Sequence, residues 1–489
     1  MAGRSQFAIR YSLLALLDGG RGLVARALKP DICFIGGGSS LAPAIASAAA
    51  SGFSVALVQP EGSDGTRARL VRSMSLRAAG CDAVAGGLGP IPADDIAKLA
   101  MRVREVSTAF PDSTPERFAA LGVRVIPGAA FFKDRRTLVL ADGGLLRARH
   151  FVIATGSLPE LTTIEGLGSL DHLTEDTASE LAVLPGHLIV VGSGAAAHEL
   201  AQGWRRLGSA VTLVATGQPL AGHDPEMAAV VTRALTVDGV RIVEQAALQG
   251  VQRHEAGIRL EVLSRAGSID AIDGTHLLIA GPRVPHIAGL RLDKARVKHD
   301  ADGVGVSASL RTSNPRIHAV GDVIGERYLA HHVGHQAAIV LAAIHSGRDT
   351  EQNAAFLPRL VLTDPELAEV GLSVDQATSS HRETRILRWP YAENERATAE
   401  GRTAGHVKLI ADREGKLLGA AVAGASASEL IGMWTLALAN GMTVADIAAT
   451  AMPMCTFGEI GKRAAISYFP VEPRRTLARK LAGLLRVFG

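Results

Sequence analysis

A layered α/β fold with two parallel-sheet units, followed by an antiparallel α+β unit, is the architecture this sequence predicts, and three observations predict it. The residue balance is that of a large globular chain, with 47% apolar residues, 20% charged residues and 53 glycines in 489 residues. That length suffices for about three domains at roughly 150 residues each. A strand, glycine turn, helix and strand succession occurs twice, and Gln59 and Ala215 each fall 23 residues after the first glycine of their copy, Gly36 and Gly192. A spacing held constant within one chain marks a repeated supersecondary unit. Finally, GHVKLIADREGKLLGAAVAG (405–424) reads as two strands around an Asp-Arg-Glu-Gly turn, suited to an antiparallel layer.

The first unit, DICFIGGGSSLAPAIASAAASGFSVALVQ (31–59), places Gly36 and Gly38 where a backbone must approach a pyrophosphate closely, ahead of a helix N-terminus whose free N–H groups favour anions. The third glycine place falls on Leu41, which would crowd helix against strand, and Gln59 stands where a ribose-binding acid is expected. The second unit, HLIVVGSGAAAHELAQGWRRLGSAVTLVA (187–215), is intact, with Gly192, Gly194 and the tolerated Ala197 in the three places. Two dinucleotides are therefore suggested. Neither copy ends in an acid, and Ala215-Thr216-Gly217 offers no arginine for a 2′-phosphate, so NADH and NADPH both stay open.

Charge and cysteine usage exclude other classes. Lys and Arg total 51 against 48 Asp and Glu, a net charge of +3, which gives no global field for nucleic acid. Only Cys33, Cys81 and Cys455 occur, far apart, so a disulfide scaffold, a zinc cluster and a CxxC pair are all excluded, and a reducing cytoplasm is implied. The N-terminal extension, 1–29, has an apolar run broken by Asp18, Gly19 and Gly20, too short to span a bilayer and followed by no small-residue cleavage site; the expectation is cytoplasmic. In 471–489, Leu477, Leu481, Leu484, Leu485 and Phe488 alternate with Arg474, Arg475, Arg479, Lys480 and Arg486. This is a basic amphipathic helix that either packs on protein or meets an anionic membrane surface on the inner face.

Further segments carry a resemblance. FVIATGS (151–157), AGPRVPHIAGL (280–290), TSNPRIHAVGDV (312–323), PRLVLTDPELAEVGLS (358–373), residues 388–424 and LALANGMTVADIAATAMP (436–453) are similar, in order, to the flavin-dependent pyridine nucleotide-disulfide oxidoreductases, the group of dihydrolipoamide dehydrogenase and mercuric reductase. The resemblance implies two Rossmann-like dinucleotide-binding domains, for FAD (30–157 and 279–345) and NAD(P)H (158–278), and a C-terminal dimerisation domain (350–470) that forms a homodimer. It implies that Thr155 and Gly156 close the FAD site, that Asp322 contacts the ribityl chain and that His331 lies under the flavin ring. His331, His332 and His335 have no accompanying HExxH carboxylate, so no metal site is expected there.

The same resemblance shows what is missing. The family's redox cysteines, five positions apart, fall on Arg67 and Arg72, and the lysine that follows them falls on Leu76, although its glutamate partner is kept as Glu199. A carboxylate left unpaired near a flavin would need another cation or would shift its pKa upward, and Arg67 or Arg72 could supply that charge; the arginines 67, 69 and 72 read equally as a solvated loop or as an anion-binding lining. The acid-base histidine falls on Met454 while its acid is kept as Glu459. Cys455 beside it reads as a buried structural thiol rather than a reactive one. The expectation is an oxidoreductase that passes hydride from NAD(P)H through FAD to a small-molecule acceptor other than a disulfide, such as a quinone. The alternative is a non-catalytic dimeric scaffold in which Leu41 keeps the flavin out.

Overall fold

A computed structural model of the chain describes residues 27–60 apart from 38, residues 74–81, 98 and 101, and residues 115–469 apart from 161–163, 179–180, 182, 256, 265–266, 326–329, 352 and 354–355. Arg67, Arg72, Gly38 and the basic segment 471–489 lie outside the described residues.

The first unit is built on β1 (Ile32–Gly36), α1 (Ala42–Ala50), β2 (Val55–Gln59), β3 (Arg124–Pro127) and β4 (His150–Ala154). β1 is buried along its whole length, as a strand covered on both faces must be, which is why it reads as a continuous apolar run. After a crossing strand β5 (Ser157–Pro159), the second unit repeats the pattern with β6 (His187–Val191), α2 (Ala195–Arg206), β7 (Ala210–Val214), α3 (Pro225–Val237), β8 (Arg241–Val243) and β9 (His276–Ile279). The chain returns through β10 (Arg283–Pro285) to β11 (Ile317–Ala319) and α4 (Ala330–Ser346).

Both sheets are parallel, in the orders β11-β4-β1-β2-β3 and β8-β7-β6-β9, the latter edged by Leu173–Thr174. In each, the chain runs outward from the first strand and later returns on its other side. The order therefore reverses beside β1 in one sheet and beside β6 in the other, and a crevice opens at the carboxyl ends of the strands at such a point. Gly36 and Gly192 stand at these two crevices.

The third unit is an antiparallel sheet, β12 (Arg359–Val361), β13 (Glu366–Gly371), β16 (Leu417–Gly424), β15 (His406–Asp412) and β14 (Thr384–Pro390) in that order, covered by α5 (Ala427–Ala439) and α6 (Gly458–Ile466). The hairpin expected at 405–424 is present, with its turn at Asp412 to Lys416. Trp434 of α5 and Ile460 of α6 lie in one core with Val422 and Leu409 of the sheet.

A dense polar seam joins this sheet to the second unit. Asp224 caps α3 by accepting from Glu226 and Met227 N–H groups, and the same carboxylate receives Lys408 Nζ at 2.7 and 2.8 Å. Lys408 is 2% exposed, and a lysine so buried is tolerated only when paired. Glu226 takes Lys408, Arg388 and His406; the hydrogen bond from Arg388, reinforced by Lys408, holds its carboxyl down at about 2. On α2, Gln202 treats Asp364 as a strand neighbour would, accepting from its N–H and donating to its carbonyl, both at 2.7 Å. Arg206, one turn further, bridges Asp238 and Asp364 at 2.8 Å each.

Candidate functional site

The first glycine turn is shaped by close backbone approach. Gly36 has φ +75, and a Cβ there would meet the Ala154 carbonyl of β4 at 2.8 Å, so only glycine lets β1 turn while touching its neighbour. Leu41 is accommodated rather than excluded. Residues Ser39–Leu41 form a 3-10 turn, α1 starts only at Ala42, and the Leu41 side chain is fully buried beneath Gly37 in the core with Phe34, Ile45, Val333 and Ala337. The expected crowding of helix against strand is thus corrected: tightening the helix start turns the leucine into the core. Ser40 Oγ, buried in this loop, has no partner among the described residues.

Around the turn lies a cavity of about 300 Å³ lined by Ile35, Gly36, Val58, Gly128, Ala141 and Thr155, among others. Gln59 ends β2 and its carbonyl accepts from Gly128 N–H at 3.0 Å, while Thr155 Oγ1 donates to the His286 carbonyl and His286 N–H to that of Gly156. Asp322 is 5% exposed and accepts from Ser157 Oγ at 2.7 Å. An apolar slot beside a glycine turn, a buried hydroxyl in the turn and a nearby buried carboxylate fit an adenine, a diphosphate and a polyol chain. These residues would hold FAD.

The second turn is tighter still. A Cβ on Gly192 would strike the Ala280 carbonyl, and Ala197, fully buried, fits below it with its Cβ 3.1 Å away from that position. Gly194 is the N-cap of α2. Ser193 folds the next loop over the turn, its Oγ accepting from Gly217 N–H at 3.0 Å and its carbonyl from Leu220 N–H at 2.7 Å. His198 is fully buried; burial pulls its pKa down to about 4, and its Nδ1 donates to the Gly194 carbonyl at 2.8 Å, which makes it a neutral strut of the turn. These residues fit a pyridine dinucleotide.

The residues expected to do chemistry are less uniform. Glu199 Oε1 accepts from Leu362 N–H at 2.8 Å; Arg67 and Arg72, expected to face it, lie outside the described residues. Leu76, where the lysine partner would stand, is 2% exposed and packs on Gly203, one turn along α2 from Glu199. Glu459 Oε1 accepts from Arg463 at 3.2 Å, while its Oε2 is buried with no partner among the described residues. Met454 is 78% exposed. Cys455, expected to be buried, is exposed, in the irregular segment ahead of α6 whose neighbours Pro453 and Met454 are exposed as well. His331 stands at the start of α4 with Nε2 2.9 Å from the Pro358 carbonyl, which His332 Nε2 also meets at 2.6 Å. Among the described residues no group of three or more His, Cys, Asp or Glu is arranged to hold a metal.

Sequence reasoning missed Arg283. Its guanidinium, 4% exposed, lies on β10 against Ser157 and beside Glu175 and Asp176. The available signal was a lone arginine in an otherwise apolar return segment, matched by a Glu-Asp pair about a hundred residues earlier.

Two crevices, each with a glycine cradle, beside an antiparallel third unit define a two-dinucleotide protein. A family model described as pyridine nucleotide-disulphide oxidoreductase matches residues 30–338, and that family's dimerisation domain matches 357–465. The chain belongs to this family, whose members bind FAD and use NAD(P)H. It is 36% identical over 359 residues to a mercuric reductase from Streptomyces lividans, covering 72% of this chain and 75% of that one. It is 31% identical over 387 residues to dihydrolipoyl dehydrogenase 3 of Pseudomonas aeruginosa, covering 78% and 83%. Among solved structures, LpdA from Mycobacterium tuberculosis is similar with a TM-score of 0.80 at 25% identity, over 91% of this chain and 100% of that one. The flavoprotein disulfide reductase RclA from Escherichia coli shares the fold with a TM-score of 0.79 at 21% identity, over 89% and 99%.

Proposed function

We propose that this chain is a homodimeric FAD enzyme that takes hydride from NADH or NADPH and delivers electrons to a small acceptor other than a disulfide, such as a quinone. The observation that carries this reading is the placement of its three cysteines. Cys33 is buried in β1, where burial pushes its thiol far up; Cys81 ends the helical segment 74–81 with its sulfur against Arg206; Cys455 is in the exposed segment ahead of α6. No two of them are five positions apart, so no redox pair of the family's kind can form within the chain.

The relatives' names point to mercuric ion and to dihydrolipoyl groups, substrates handled through sulfur. Met454, aprotic and exposed, stands where the resemblance places the imidazole that would serve a thiol. Bound FAD would supply the two-electron step between nicotinamide and acceptor. The chain's own part is to position: the second turn orients the pyridine nucleotide, the first holds the flavin, and Asp322 fixes its polyol chain. A quinone taking two electrons as a quinol needs two protons; one comes with the hydride and the second from solvent.

Purified protein is expected to be yellow, to bleach with NADH or NADPH under argon, and to recolour when menadione is added. Turnover of lipoamide, glutathione disulfide or mercuric ion is expected near background. Robust turnover of any of these three would overturn the acceptor assignment, and a colourless chain that takes up no added FAD would favour the scaffold. No helix among the described residues is long and apolar enough to cross a membrane. Contact of 474–489 with anionic vesicles is tested by flotation of the full chain against one ending at residue 473; equal flotation removes that contact.

A further inference from the structure

The chain crosses between its two nucleotide units along β5 and β10, which pair antiparallel with Ser157 opposite Pro285 and Pro159 opposite Arg283. A two-stranded ribbon of three residues a side has little stability of its own. Arg283 supplies the tie. Its Nε donates to Ser157 Oγ at 2.9 Å and its Nη2 to the Ser157 carbonyl at 2.9 Å. The other edge of the guanidinium faces the second unit, with Nη1 and Nη2 3.4 and 3.3 Å from Asp176 Oδ2 and Nη1 3.7 Å from Glu175 Oε2.

The direction of the hydrogen bonds matters. A hydroxyl has one proton to give and lone pairs to receive. Because Arg283 fills a lone pair on Ser157 Oγ, the hydroxyl proton goes to Asp322 Oδ2, 2.7 Å away. One line thus runs from the carboxylates of Glu175 and Asp176 through a planar guanidinium and a hydroxyl to Asp322, and Arg283, Glu175 and Asp322 are all nearly excluded from water. A rigid fork out of water transmits orientation where a flexible ammonium would not.

We infer that Arg283 is a positioning residue, which sets the orientation of the Asp322 carboxylate through Ser157 and so makes the seating of the pyridine-nucleotide unit and the anchoring of the flavin one device. The inference rests on the FAD reading proposed above. Its consequence is that a disturbance at Glu175 or Asp176, on the far side of the ribbon, reaches the flavin without any contact to it.

Four variants of the full chain test this: Ser157→Ala, Arg283→Met, Arg283→Lys and the double Ser157→Ala/Arg283→Met. Each is titrated as apoprotein with FAD, its flavin spectrum and midpoint potential are recorded, and amide hydrogen exchange of residues 320–325 is followed in the flavin-free chain. Loss of one charge-assisted link predicts FAD binding weaker by roughly tenfold or more in either single variant. The double variant is expected to be no worse than the poorer single, as for two members of one line. Arg283→Lys keeps a charge facing Glu175 and Asp176 but cannot hold Ser157 at two points. It is expected to melt like the wild type and still to bind FAD weakly, with an altered spectrum.

Additive losses, full rescue of FAD affinity by lysine, or an Arg283→Met chain with a lower melting temperature and unchanged flavin spectrum would each overturn the inference. Should Arg283→Met fail to fold, Ser157→Ala and Arg283→Lys decide alone. A wild-type chain that takes up no FAD defeats the functional reading, and hydrogen exchange then still judges this one. Faster exchange at 320–325 in both Ser157→Ala and Arg283→Lys supports it, and exchange equal to wild type sinks it.

Discussion

The two glycine turns begin alike and part five residues later. At the second, Ala197 allows α2 to start at once, with Gly194 as its N-cap and the alanine wedged under Gly192. At the first, Leu41 occupies the same place, and the helix gives way: a 3-10 turn intervenes and α1 is 9 residues long against 12 for α2. The difference teaches that the third glycine of this motif states a distance between helix and strand more than a residue type. A large side chain is tolerated when the helix end tightens and the side chain finds a core to enter.

The largest effect should come from breaking the intact turn. Gly192→Val places side-chain atoms against the Ala280 carbonyl, and misplacing the nicotinamide by an ångström costs on the order of 100-fold in rate. Stopped-flow reduction of the bound flavin by NADH reads this, while FAD content should stay unchanged. The comparison sharpens with a reciprocal pair. Leu41→Ala empties a fully buried site and should cost about 2–5 kcal/mol, and Ala197→Leu overfills one and should cost about 1–3 kcal/mol, both read by urea unfolding. A neutral Leu41→Ala would show that the leucine is not part of the core.

A smaller effect separates the turns by pH. His198 follows Ala197, whereas Ala42 holds the corresponding place after Leu41. Burial first of all lowers His198 to about 4, so between pH 6.5 and 4 the unfolded chain binds a proton that the folded chain refuses. Stability is therefore complete above pH 6.5 and falls as the pH drops through this window, by up to about 1.4 kcal/mol per unit. His198→Leu should flatten that part of the unfolding profile; an unchanged slope would assign it to other groups. The smallest effect is expected at Glu199. Gln retains an acceptor for Leu362 N–H, so Glu199→Leu should cost roughly 1–3 kcal/mol more than Glu199→Gln by leaving that N–H unpaired.

Much of the architecture was legible because it is local. The run Ile32–Gly36, the spacing from Gly36 to Gln59 and the hairpin through Asp412 each declare themselves within a few dozen residues. The site was legible only where it is made of turns. Arg283 meets Ser157 across 126 positions and Gln202 meets Asp364 across 162, and no periodicity announces such pairs. The contact of Glu199 with Leu362 was hidden for a similar reason, since a backbone N–H is supplied by any residue type. Cys455 misled because cysteine is most often interior, whereas here it lies in an exposed irregular segment.

The pairing of Gln202 with both backbone groups of Asp364 has a dynamic consequence. With Lys408 locked on Asp224 and Glu226 along one flank, and the Arg283 ribbon on the other, the pyridine-nucleotide module is bolted at two ends. A body fastened at both places resists rocking as a unit, and cutting either tie is expected to loosen it.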